Sequence, residues 1–350
     1  MMKNTIYLTL LLFALSGCIE PYEAKTDNID SILVVEGFIT DGTTQITLSK
    51  SVDIKDDIYR YSMWYGNEDS LYVNHASVYL ECENGSKSEV AQSSGKGIYL
   101  IETGELNVNT KYRLAIHVDD EIYHSGYLTP AISPPVELSY RVNYQYFVNE
   151  KNENDSVINN TDVLLTTKGY EHQPGYYLWS YRENWKTHAL LGPGICWSED
   201  SSRVLLLGTT ERLSENTIRG HRLMTVYSME NRVSQRYRIQ VKQNAIHQDA
   251  YDYFENQKRN SEQTGSIFGV IPSELTGNIK CTSNPAIPVI GYVDVSTTSV
   301  NELYLTRKDC FDSQNEYRQI LRCFDEKGEI KPQCYVCFGT AEKPKDWKDE

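Results

Sequence analysis

From Ser31 onward the chain is built of short β-branched and aromatic runs broken by turn residues, a rhythm that commits it to sheet. SILVVEGFIT is followed by Asp41-Gly42 and then by TTQITLSKSV. Asp-Gly between two such runs is a hairpin signal, because glycine accepts a positive φ at little cost. ASVYLECENG alternates cleanly, with Ala76, Val78, Leu80 and Cys82 on one face and Ser77, Tyr79, Glu81 and Glu83 on the other. GIYLIETG, KYRLAIHV and EIYHSGYLTP follow at intervals of about ten to fifteen residues, the spacing of a sandwich. Residues 30–130 therefore read as one β-sandwich.

The stretch TPAISPPVELS, with Pro130, Pro134 and Pro135, is the natural boundary. Beyond it come ELSYRVNYQYFV, DVLLTTKG, GYYLWSYREN, RVLLLGTT, HRLMTVYSM and QRYRIQVKQ, all strand-like. One segment reads as a helix, AIHQDAYDYFENQKRNSEQTG, with Ile246, Ala250, Tyr253 and Phe254 on one face and Gly265 as its stop. Residues 131–350 are thus expected to form a larger β-rich domain with one amphipathic helix. In the first domain, residues 53–74 interrupt the strand rhythm and carry Trp64 and Tyr65 beside charges. Such a loop suits partner contact on a rigid scaffold, or an Ω-loop packed on its own aromatics.

The N-terminus, MMKNTIYLTLLLFALSGC, has Lys3, an apolar run from Ile6 to Leu15, and then Leu15-Ser16-Gly17-Cys18. This is the layout of a secretory signal peptide (residues 1–17) ending in a lipobox, and the run is too short for the roughly 20 apolar residues of a membrane span. Cleavage before Cys18 leaves 333 of the 350 residues. A lipidated Cys18 with two or more acyl chains anchors the body to a bilayer through a tether at residues 18–29. Ile19 after the cysteine favours the outer membrane. Glu20, Glu23 and Asp27 resemble a surface-export signal that Pro21 and Lys25 interrupt, so the periplasmic and cell-surface faces both stay open.

The formal net charge of −14 repels phosphate backbones, and no Lys/Arg stripe offsets it, so nucleic acid is not an expected partner. Tyrosine is abundant, 26 residues, which fits cross-strand packing first and a sugar- or peptide-contacting surface second. No G-x-S-x-G elbow, P-loop or H-E-x-x-H occurs, and the histidines, including His172, His188, His221 and His247, lack ligand spacing. No catalytic residue, metal or cofactor is expected.

With Cys18 assigned to lipid, seven cysteines remain. Cys82 reads as a lone buried thiol on the apolar face of its strand. Cys196, Cys281, Cys310, Cys323, Cys334 and Cys337 form an even set in the second domain, with up to three disulfides in fifteen possible pairings. An extended Cys334-Tyr335-Val336-Cys337 puts its Cα atoms roughly 10 Å apart on opposite faces, beyond the roughly 7 Å a bridge allows. The two could then bond each other only across a turn; otherwise each reaches for a distant partner, with Cys310 and Cys323 nearest, or the thiols stay free. A zinc site from Cys310, Cys323, Cys334 and Cys337, or a redox role for the C-x-x-C, is the competing reading, but a second C-x-x-C and a βαβ context are both missing.

Three stretches carry a resemblance over essentially the whole chain. They are Leu33-Val34-Val35-Glu36-Gly37-Phe38-Ile39-Thr40-Asp41-Gly42 with Leu48-Ser49-Lys50-Ser51; Gly265-Ser266-Ile267-Phe268, Gly277-Asn278-Ile279 and Asn284-Pro285 through Val289-Ile290-Gly291-Tyr292; and Cys334, Cys337, Gly339, Thr340, Pro344 and Trp347. In this order they resemble the Bacteroidetes lipoprotein family catalogued as domain of unknown function 4249. The resemblance implies a transthyretin-like or Ig-like first sandwich and genes beside TonB-dependent outer-membrane transporters, and it brings no catalytic residues. The expected function is a non-enzymatic binding or accessory subunit of a TonB-dependent barrel in nutrient uptake. The alternatives are a structural part of an outer-membrane assembly or protein-biogenesis complex and, against the missing motifs, an exported hydrolase.

Overall fold

The computed structural model describes residues 31–51, 71–148, 154–170, 173–188, 195–227, 231–233, 235–263, 275–310, 325, 327–329 and 341–348. The chain is mainly β. Its first strands are β1 (Leu33–Thr40), β2 (Gly42–Lys50), β3 (Ser77–Cys82), β4 (Ile98–Gly104), β5 (Tyr112–Val118) and β6 (Glu121–His124). The Asp41-Gly42 hairpin forms as expected: β1 and β2 pair antiparallel from Leu33–Lys50 to Phe38–Gln45, with Gly42 at φ +78°. Val35, Ile39, Ile46, Leu48, Val78, Leu80, Leu114 and Ile116 face one core, where each buried side chain of this size contributes about 1.5–3 kcal/mol.

Next come β7 (Val136–Val148), β8 (Asn154–Lys168), β9 (Tyr176–His188), β10 (Ile195–Ser201), β11 (Leu206–Thr209), β12 (Thr217–Tyr227) and β13 (Arg236–Ala245). Helix α1 (Gln248–Gln263) follows. After it the chain forms β14 (Lys280–Cys281), β15 (Val289–Ile290), β16 (Asp294–Ser296), β17 (Thr298–Thr306) and the single turn α2 (Arg307–Cys310). A second sandwich packs the sheet β10–β9–β13–β17, with β11 also on β9, against β12–β8–β7. Its core holds Tyr177, Trp179, Tyr237, Ile239 and Val241 opposite Val163, Leu165, Leu223 and Val226. The buried Glu183 is paired inside it, to Arg232 at 2.6 Å and to the Tyr237 hydroxyl at 2.6 Å, so its charge is not left uncompensated.

The first sandwich does not end at residue 130. Strands β15 and β16 return to lie parallel to β1, and β14 pairs antiparallel with β6. The two sheets are therefore β15–β1–β2–β4 with β16 on β1, and β14–β6–β5–β3. The Gly277-Asn278-Ile279 and Val289-Ile290-Gly291-Tyr292 stretches owe their glycines to this return. A Cβ on Gly277 would lie 1.7 Å from the Gly291 carbonyl oxygen, and one on Gly291, at φ +143°, 2.2 Å from that of Val35. Only glycine lets these backbones meet.

The proline-rich boundary is also bonded down. Gln243 Nε2 donates to the Pro134 carbonyl at 2.8 Å, the Trp179 indole donates to Gln243 Oε1 at 2.8 Å, and Ala131 donates its backbone N–H to the Val295 carbonyl and accepts that of Thr297, both at 2.9 Å. Asp41, in the first hairpin's turn, accepts from the Thr298 backbone nitrogen at 2.9 Å at the head of β17. Buried polar groups satisfied this way join the two sandwiches. Helix α1 wedges between them on the face expected for it: Ile246, Ala250, Tyr253 and Phe254 are buried with Tyr176 and Tyr292, and Phe38 packs on them.

Candidate functional site

The strand-to-helix turn after β13 carries the site. Ile246 donates its backbone N–H to the Tyr176 carbonyl at 2.9 Å, which seats the turn against the start of β9. His247 then opens α1, its carbonyl accepting from Tyr251 at 3.0 Å. A helix start usually carries its own Ser, Thr, Asp or Asn. Here the acceptor comes from β16: Asp294 Oδ2 takes the His247 backbone N–H at 2.7 Å, and Oδ1 pairs with His247 Nδ1 at 2.6 Å. Asp294 is 0% exposed and also accepts from the Val295 backbone nitrogen at 2.8 Å. The hydrogen bond to Asp294 raises the His247 pKa against the opposing effect of burial, and the Asp294 and Asp249 charges add to the rise. The ring therefore holds its proton to higher pH than a free histidine.

His247 lines a cleft of about 580 Å³ at the junction of the two sandwiches. Pro130 and Ile132 of the boundary segment, Tyr170, and Tyr176 and Tyr177 at the start of β9 line it as well. Tyr170 and Ile132 are largely exposed, so the rim is apolar and aromatic and reaches solvent. Burial pushes the Tyr177 phenol up to about 12, so it stays protonated and can donate or accept a hydrogen bond. Among the described residues the hydroxyls lining the cleft are those of Thr129 and the tyrosines. His247, pinned by Asp294, offers its imidazole as a polar contact for an anionic or hydroxylated group, and the aromatic walls offer rigid contact area. This is a geometry for holding a ligand.

Sequence reasoning passed over His247, because its partner lies 47 residues away and no motif joins them. The aromatic pair Trp64 and Tyr65 and the lipidation residue Cys18 lie outside the described residues, as do Cys323, Cys334 and Cys337. Two of the six grouped cysteines are not in disulfides: Cys281 and Cys310 are free thiols. They belong to separate cores, Cys281 to the first sandwich and Cys310 to the second, and so cannot meet. Cys281 bonds Glu121 and Ser283 instead, at 3.2 and 3.3 Å. Cys196 is buried in β10 and is not a free thiol. Cys82 is a free thiol but half-buried rather than buried, because it falls at the end of β3 where the core stops. Its neighbour Glu81, expected on the polar face, is the buried one, held by Arg113 at 2.5 Å and Lys87 at 2.7 Å. Of the other histidines, His221 packs tilted against Trp179, centroids 5.0 Å apart, in the second sandwich. Among the described residues no three metal-capable side chains cluster.

A protein-family model described as Domain of unknown function (DUF4249) matches residues 19–302. The match takes in the cleft, His247 and Asp294, and stops short of Tyr304, Cys310 and the C-terminal residues. No curated protein matches the chain.

Proposed function

Since the chain belongs to the family described as Domain of unknown function (DUF4249), we propose that it is an outer-membrane lipoprotein of the Bacteroidetes type, acting as a non-enzymatic binding subunit of a TonB-dependent transporter in nutrient uptake. The observation that carries the binding role is the cleft: about 580 Å³, aromatic at its rim, with a histidine clamped by a buried aspartate. The anchor rests on the lipobox at Cys18, and the transporter on the family resemblance. In this reading Cys18 carries the lipid and residues 18–29 tether the two sandwiches to the membrane. In the same reading Cys196 is disulfide-bonded, and peptide mapping without reduction identifies its partner.

Extraction of native membranes in mild detergent tests the main proposal. An outer-membrane barrel that co-purifies, together with a growth defect restricted to one nutrient, supports it. A general envelope defect without a barrel partner would favour the structural-assembly alternative.

A further inference from the structure

Far from the cleft, the outward face of the β10–β9–β13–β17 sheet carries a second built site. Along β13, Tyr237, Ile239 and Val241 turn into the core, so Arg236 and Arg238 turn out. Trp197 of β10 and Tyr304 of β17 flank them. Into this slot the chain inserts one side chain from its own end: Trp347, 7% exposed while its neighbours Asp346 and Lys348 are exposed. The indole meets Trp197 edge-on at 4.7 Å and Tyr304 edge-on at 5.4 Å, with the Arg238 guanidinium 5.8 Å from its centroid. Asp346 faces Arg238 as a fork, Oδ2 to Nη1 at 2.9 Å and Oδ1 to Nη2 at 3.2 Å. Upstream, Ala341 donates its backbone N–H to the Trp197 carbonyl at 2.8 Å.

This is how a peptide is bound: one deep aromatic anchor, one bidentate acidic contact to arginine, and exposed residues around them. The cis segment does not saturate the slot. Arg238 is 2% exposed and Asn184 1%, yet Arg238 Nε and Asn184 Nδ2 have no hydrogen-bond partner among the described residues. The tail leaves these two buried donors open to a further acceptor. The family match ends at residue 302, before Tyr304 and before the tail itself.

We propose that the slot formed by Trp197, Arg238 and Tyr304 is a recognition site for an acidic–aromatic peptide segment of a partner protein, kept filled by the chain's own Asp346-Trp347 until such a segment displaces it. Asn184 and Arg238 supply the extra donors for a partner segment that carries one more acceptor than the tail does. The site is independent of the cleft and of the transporter reading.

The test uses the full chain and a labelled synthetic peptide of residues 343–350, KPKDWKDE, as probe. The double variant Asp346→Ala/Trp347→Ala vacates the slot and should bind the peptide saturably, at least about tenfold tighter than the wild type, whose slot is filled. Replacing the peptide's Asp or Trp by Ala, or adding Tyr304→Ala to the protein, should abolish binding. Equal or absent binding in the vacated variant and the wild type would overturn the proposal and leave the tail as a fixed part of the fold. If the double variant does not fold, Asp346→Ala alone, which keeps the indole anchor, should bind the peptide at least about threefold tighter than wild type. No difference there overturns the proposal equally.

Discussion

His247 and Asp294 are bonded twice, backbone N–H to Oδ2 at 2.7 Å and Nδ1 to Oδ1 at 2.6 Å. One residue starts the helix that leaves the second sandwich, and the other lies on the strand that completes the first. The pair therefore ties the two bodies together beside the cleft that His247 lines, and disturbing it should be felt both in stability and in the cleft.

The pH dependence follows from the raised His247 pKa. A group whose folded value lies above its unfolded value of about 6.5 stabilises fully below 6.5 and loses that contribution as pH rises through the folded value. The melting temperature of the wild type relative to His247→Gln should therefore fall as pH rises above about 6.5, the comparison cancelling His124 and His221, whose burial-lowered pKa values act in the opposite direction. The range is kept above pH 6 because Glu81, Asp162, Asp200 and Asp346, whose pKa values are lowered, lose stability in the opposite direction, as pH falls. An unchanged slope in the variant would contradict the assignment.

Asp294→Ala strands the His247 ring, the His247 backbone N–H and the Val295 N–H, all facing a fully buried position. Breaking a buried pair of this kind costs about 3–5 kcal/mol, and Asp294→Asn, which keeps an acceptor, should cost less. Equilibrium urea unfolding reads the difference. A loss below about 1 kcal/mol for the alanine variant would mean that the pair does not join the sandwiches.

Gly277→Ala places a methyl 1.7 Å from the Gly291 carbonyl oxygen and must push the returning segment off β1. More than about 3 kcal/mol of stability should be lost. Gly126→Ala has nothing within 4 Å of the added carbon and serves as the control, expected within about 0.5 kcal/mol of wild type. Similar effects of the two would contradict the close approach.

The thiols should react in a fixed order. Cys82 is half-buried, whereas Cys281 and Cys310 are buried, and burial pushes the Cys310 thiol up to about 11. A maleimide followed by peptide mass mapping should find Cys82 labelled in the native protein, and Cys281 and Cys310 labelled only in denaturant. Native labelling of Cys310 would contradict the packing of α2 into the second core.

What the sequence makes legible is local. The Asp41-Gly42 hairpin, the alternation of Ala76, Val78 and Leu80, and the buried face of α1 each follow from the geometry of a single element. What it hides is pairing over distance. Nothing local in Val289-Ile290 or Asp294-Val295-Ser296 says that these short strands lie along β1, more than 250 residues earlier in the chain. For the same reason the stretch from Pro130 to Pro135 reads as a domain boundary although Gln243 bonds Pro134 into the second sandwich. His247 looks like one of several scattered histidines until Asp294 arrives beside it. Cysteine counting also misleads: an even number in one stretch of sequence suggests pairs, but the return of β14 puts Cys281 in the other core from Cys310.

The most direct test of the account is affinity purification of the full-length lipidated protein from native membranes in mild detergent, read by mass spectrometry, beside a variant with the cleft rim altered by Ile132→Asp and Tyr170→Ala. The account predicts that a TonB-dependent outer-membrane barrel co-purifies with the wild type and is depleted in the variant, while the variant keeps its fold and its anchor. Recovery of the wild-type protein with no outer-membrane barrel would contradict it.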